Sequence, residues 1–163
     1  MRQIFIPETY QVPTSFESDR FRFEILGPQI AEMDYEAVMS SKTRLRSVFF
    51  EATEWPRDDM SLDENRNDLA RHESEFNSRE AFAYTVLSPD RKKYIGCLYI
   101  DPPTVPEFDS EIYLWVRDDC LELDGHLYDT VKAWLDECWP FEKPAFPGRE
   151  IPWEQWTPHP KIK

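Results

Sequence analysis

Three apolar segments crowd into one stretch of this chain: "AFAYTVLS" (81–88), "KYIGCLYID" (93–101) and "EIYLWVR" (111–117). Each is rich in β-branched and aromatic residues, long enough for a strand and too short for a typical helix. Their separators set the topology. "PDRK" places Pro89 and Asp90 in a short turn, which predicts an antiparallel hairpin. "PPTVPEFD" contains prolines that no central strand accepts, so a longer, stiffer connection leads into a second hairpin. "WVRDDCLELDGH" (115–126) then runs out of the third strand, through a polar connection, into a helix.

The flanks extend this pattern. In "FRFEIL" (21–26) Phe21, Phe23 and Ile25 alternate to one side, which predicts a first strand ended by Gly27-Pro28. From Gln29 to Phe49 the apolar residues fall near helical spacing and predict one amphipathic helix. Ser61 and Glu64 form an S-x-x-E capping box that opens a second helix, from Leu62 to Phe76. Its inward stripe is Leu62, Asn65, Leu69, His72 and Phe76, so an amide and an imidazole stand on an apolar line. Asp124 is placed to cap a third helix over Gly125 to Glu137, and Pro140 ends it. Residues 1–19 read as an extended arm. Residues 141–163 read as a tail rich in proline and tryptophan, in which "PAF" is a short strand and Phe141, Phe146, Trp153 and Trp156 pack on the body.

At 163 residues, with 40% hydrophobic and 15% aromatic content, the chain is expected to fold as a single domain over 1–163 with a substantial core. The net charge of −13 supplies no basic stripe for phosphate backbones, which argues against nucleic acid and favours a cationic or amine ligand. No apolar run reaches membrane-spanning length and the first residues carry no signal-peptide core, so a soluble, cytoplasmic protein is expected, with no membrane partner. Cys97, Cys120 and Cys138 lie in no paired spacing and read as reduced thiols.

The order strand, two helices, three antiparallel strands, then strand, turn and helix resembles the GNAT superfamily of acyl-CoA-dependent N-acyltransferases. The resemblance covers roughly residues 20–147 and is carried by "AFAYTVLSPDRKKYIGCLYIDPP" and "EIYLWVR…HLYDTVKAWLDECW". It implies an α/β (α+β) fold: a mixed, mostly antiparallel central sheet flanked by helices on both faces. It also implies acetyl-CoA or another acyl-CoA as donor and an amine of a small molecule or peptide as acceptor. In that superfamily the donor's thioester arm lies along the backbone of the fourth strand, here "EIYLWVR", and its pyrophosphate on a Q/R-x-x-G-x-G/A turn. The resemblance therefore points to Trp115, Val116, Arg117, Gly125 and His126 for acyl-CoA binding. Arg117 matches the motif's first position, whereas Cys120 and Glu122 stand where its glycines belong. The superfamily's late general-acid tyrosine is absent too, since no tyrosine follows Tyr128.

The chemistry falls to a few residues. Glu111 and Tyr113 share one face of their strand, where Glu111 could deprotonate an ammonium group and Tyr113, or else Cys120 in the turn, protonate a leaving thiolate; a solvated strand-end carboxylate is the alternative for Glu111. His72 and Asn65 border the acceptor side in such a fold, where His72 could act as a base or both could bind substrate; structural core partners are the alternative. Arg117 reads either as a pyrophosphate contact or as a surface arginine paired with Asp118, Asp119 or Glu122. Glu122, His126 and Asp129 lack a recognised zinc spacing, so no metal is expected. The rival reading is a catalytically inactive GNAT-like module for ligand binding or protein interaction, with the Trp-rich tail as a surface for a partner or a homodimer.

Overall fold

The computed structural model describes residues 5–156. Six strands form one sheet in sequence order: β1 (Ser15–Glu17), β2 (Arg22–Ile25), β3 (Phe82–Leu87), β4 (Tyr94–Asp101), β5 (Ser110–Val116) and β6 (Pro144–Ala145). Neighbours are antiparallel from β1 to β5, while β6 joins β5 in parallel. The mixed, mostly antiparallel sheet expected from the sequence is thus the one observed. β3, β4 and β5 are buried at every residue, which is why their sequences read as almost continuous apolar runs.

Helices cover both faces. On one side lie α1 (Ala31–Ser40), the single turn α2 (Lys42–Leu45) and α3 (Leu62–Asn77), packed with Tyr94, Cys97, Tyr99, Tyr113 and Trp115. On the other, α4 (Asp124–Cys138) lays Leu127, Val131, Trp134 and Leu135 against Ile95, Leu98, Ile112, Leu114 and Val116. The alternation along β5 divides its side chains between these two cores. Strands β4 and β5 approach closely at Gly96, where an added Cβ would stand 1.9 Å from the Trp115 carbonyl oxygen. That contact excludes any side chain at position 96.

Four local expectations change. The arm before residue 20 contributes β1, whose Phe16 pairs with Phe23 and stacks 5.0 Å from Trp134, so burial of an aromatic makes a strand of a segment with little periodicity. The helix expected over 29–49 breaks at Ser41, because Ser40 Oγ returns to the Ala37 carbonyl at 3.0 Å and buried Ser41 Oγ accepts the Asp118 amide at 2.8 Å. Asp124 is the first residue of α4 and caps nothing with its side chain; Arg149 takes its carboxylate instead. The connection after β5 is itself a 3-10 segment, Asp118–Leu123, wound directly into α4. The Ser61 cap is found as expected, accepting the Glu64 amide at 3.1 Å. Among the described residues no helix is long and apolar enough to cross a membrane.

Candidate active site

β6 holds β5 only at Ser110↔Pro144 and Glu111↔Ala145. Beyond this short pairing the tail veers away at Pro147 and Gly148, and among the described residues no strand neighbours the Ile112–Val116 edge of β5 on that side. Gly148 makes the bend with φ +82°, and an added Cβ there would sit 2.4 Å from the Trp153 ring. A cavity of about 230 Å³ lies in the gap between Tyr113, Leu114, Val48, Trp153, Arg44 and Arg149. A larger cavity, about 720 Å³, opens on the α4 side among Phe108, Phe141, Phe146 and Lys132. Tyr113 lines the smaller one, and its hydroxyl is bonded to Glu111.

Glu111 is fully buried and held from both oxygens. Tyr113 donates its hydroxyl to Oε1 at 3.0 Å; the Thr104 amide reaches Oε2 at 2.5 Å, and the Thr104 hydroxyl donates to that same oxygen. The proline-bearing connection after β4 therefore covers Glu111, and the solvated strand end weighed above is not what the structure contains. Asp101 is the cross-strand partner of Glu111 and is itself 3% exposed. Burial, followed by the Glu111 carboxylate, pushes the Tyr113 phenol well above its usual range, so it remains a proton donor throughout neutral pH.

On the helical side of the same face, His72 sits in α3 with its ring 5.6 Å from Tyr99, the cross-strand partner of Tyr113. Its Nδ1 is 3.7 Å from Glu75 Oε1. Asn65 is turned inward, donating to buried Asp34 at 2.8 Å. Tyr94 also gives its hydroxyl to Asp34. Burial raises the Asp34 carboxyl, and the Tyr94 and Asn65 hydrogen bonds offset part of that shift.

Trp115 points into the α1–α3 core and donates its indole N–H to the Tyr99 hydroxyl at 3.0 Å, and its backbone carbonyl faces Gly96 of β4, so the structure does not turn Trp115 toward the gap. Arg117 turns toward α1: it bonds Glu36 at 2.8 Å and Asp119 at 2.7 Å and lines a separate cavity with Lys93 and Tyr94. It shares the face of Tyr113 by alternation, but its ion pairs with Glu36 and Asp119 hold it away from the β5–β6 gap. Gly125 and His126 are exposed at the start of α4. Burial raises the Cys120 thiol, which makes it a poor nucleophile.

Two residues that periodicity did not single out dominate the gap. Arg149, just past the Gly148 bend, clasps both Asp124 oxygens at 2.8 Å and donates to the Leu114 carbonyl at 3.2 Å. Arg44, from α2, bonds Asp118 at 2.7 Å and donates to the Val116 carbonyl. "PGRE" was the available signal for Arg149, since a glycine bend ahead of an arginine in a proline-rich tail aims a cation at the body of the protein.

Solved structures share this architecture. RimL, a ribosomal L7/L12 alpha-N-protein acetyltransferase solved with coenzyme A, matches at TM-score 0.59 and 15% identity over 76% of this chain and 64% of its own. The ribosomal-protein-S5-alanine acetyltransferase from Vibrio fischeri matches at 0.58 and 13% over 76% and 67%. The microcin C7 self-immunity acetyltransferase MccE, solved with acetyl-CoA and AMP, matches at 0.58 and 12% over 77% and 67%. No family model matches the sequence, and no curated protein matches it. The chain has the GNAT fold, and it spans about two thirds of the length of the acetyltransferases it matches.

Proposed function

We propose that the protein is an N-acyltransferase that moves an acyl group from acetyl-CoA, or another acyl-CoA, to the amine of a small molecule or peptide. The observation that carries this reading is the departure of β6 from β5 after Glu111, which leaves a carbonyl edge bordering a cavity with a tyrosine–carboxylate pair at its back. The donor's thioester arm would lie along Ile112–Val116, where the Leu114 and Val116 backbones face away from β4. The incoming amine would approach from the α3 side, with His72 as the residue that would border it, since Asn65 is committed to buried Asp34.

The chemistry follows from the pair. The amine nitrogen attacks the thioester carbonyl carbon, the C–S bond breaks, and the thiolate takes the Tyr113 hydroxyl proton. The proton shed by the amine passes to Glu111, which restores Tyr113 through their existing 3.0 Å hydrogen bond. Positioning by the cleft supplies most of the rate, since holding two reactants in line replaces a bimolecular encounter.

Thermal unfolding with acetyl-CoA is the direct test. A donor at 100 times its Kd stabilises the fold by about 2.7 kcal/mol, or a Tm rise of roughly 5–11 °C for a domain of this size. No shift with millimolar acetyl-CoA, CoA or longer acyl-CoA would sink the reading. One observation favours a second reading, a GNAT-fold binding module without turnover: Arg149 and Arg44 already occupy the Leu114 and Val116 carbonyls. Tight acyl-CoA binding with no acyl transfer to any amine in a broad panel would select it.

A further inference from the structure

We infer that Arg44 and Arg149 form a phosphate-binding clamp, assembled from α2 and the tail, that takes over from a glycine-rich turn. The turn after β5 lacks what such a cradle needs. Its backbone is wound into the 3-10 segment Asp118–Leu123, Cys120 and Glu122 occupy it, and its one glycine, Gly125, meets no atom within 4 Å of an added Cβ. The two guanidinium groups instead flank the open edge of β5, at successive outward carbonyls, and both line the same cavity.

Each is held by one carboxylate of the turn. Asp118 fixes Arg44 through Nε, and Asp124 fixes Arg149 through both Nη atoms. A guanidinium carries five N–H donors, so in both arginines donors remain beyond those spent on carboxylate and carbonyl. The Asp118 and Asp124 carboxylates thus act as placeholders, orienting two cations that a phosphate or pyrophosphate group can bridge in bidentate fashion. Arg117, paired with Glu36 and Asp119 on the far side, takes no part.

The natural source of the phosphate rests on the acyl-CoA reading; the clamp itself does not. Isothermal titration of the folded protein with inorganic pyrophosphate, CoA and phosphate-free pantetheine separates the two. The clamp predicts pyrophosphate and CoA binding that weakens at least tenfold in Arg149→Ala and in Arg44→Ala, and about as much in the lysine variants, which keep charge without the fork. Asp124→Asn frees Arg149 from its competitor and should tighten pyrophosphate about tenfold. Lysine variants that melt like wild type yet lose binding exclude a folding defect. CoA binding unchanged in both alanine variants would overturn the clamp and leave the acyltransferase reading standing. Pyrophosphate binding that depends on both arginines without any CoA binding would support the clamp and remove that reading. Absence of binding by pyrophosphate and CoA alike would overturn both.

Discussion

Asn65 donates its side-chain amide to the Asp34 carboxylate at 2.8 Å across the α1–α3 packing, and both residues are 2% exposed. The amide on the inward stripe of α3 is therefore part of the support beneath the sheet face. Removing it leaves a buried carboxylate one donor short, which costs about 1–3 kcal/mol. Asn65→Ala should lower the denaturant midpoint accordingly. A stability unchanged within about 0.5 kcal/mol, the scale of an ordinary surface substitution, would show that Asp34 finds another partner.

The same carboxyl sets a pH dependence of definite sign. Burial raises Asp34 in the folded state, so folding favours its protonated form. Its contribution is fully present below the unfolded aspartate pKa and is lost as pH rises through the folded value. Asp34→Asn removes this titration. The stability difference between Asp34→Asn and wild type should move in favour of the asparagine as pH rises, measured by urea unfolding at a series of pH values; a flat difference contradicts the assignment.

Arg149 and Asp124 give the opposite sign. The Arg149 hydrogen bonds hold the Asp124 carboxyl below its usual range, so the pair's stabilisation is present above the unfolded aspartate pKa and is lost as pH falls through the folded value. With both side chains partly exposed, Arg149→Ala should cost about 1 kcal/mol at neutral pH and close to nothing in acid. A cost that persists at low pH would assign Arg149 a packing role against the Tyr128 ring.

Gly96→Ala addresses the β4–β5 contact. Its methyl group would collide with backbone, the Trp115 carbonyl at 1.9 Å and the Val116 Cα at 3.0 Å, and neither can rotate away. Destabilisation of more than about 2 kcal/mol is expected by thermal melt, from overpacking between two central strands. Near-neutral behaviour would mean that the strands separate locally at no cost.

Glu111→Gln and Tyr113→Phe test the proton path. Glutamine presents an N–H₂ group to a site where Thr104 and Tyr113 both donate, so the variant should lose about 1–3 kcal/mol of stability as well as activity. Tyr113→Phe keeps the ring and removes only the hydroxyl. Both should reduce kcat with acetyl-CoA and a responsive amine by about 100-fold or more, the scale of a lost general acid or base. Undiminished kcat in Tyr113→Phe, with the variant folded, would move the proton donor elsewhere.

Local features were legible wherever local physics decides them. The Ser61 cap, the α3 stripe, the 89–92 hairpin turn and the two faces of β5 all follow from residue type and period, and all are found. Each is settled within a few residues by hydrogen bonding or by burial of one face. The break at Ser41 was not legible, because one of the two serine hydrogen bonds that accompany it is accepted from the Asp118 amide, a residue far along the chain. Nor could the sequence tell that Asp124 would serve Arg149 and cap nothing, or that Glu111 would be enclosed by Thr104.

By itself, then, the sequence determined the three central strands, the hairpin between the first two and the helices on either side of them, since periodicity and turn chemistry act between near neighbours. Only the tertiary structure decided which charges meet in the gap beside β5. It turned Arg117 away toward Glu36 and brought Arg44 and Arg149 in from distant segments. Ion pairs between remote residues depend on where packing of the two cores delivers each side chain, and no local pattern encodes that.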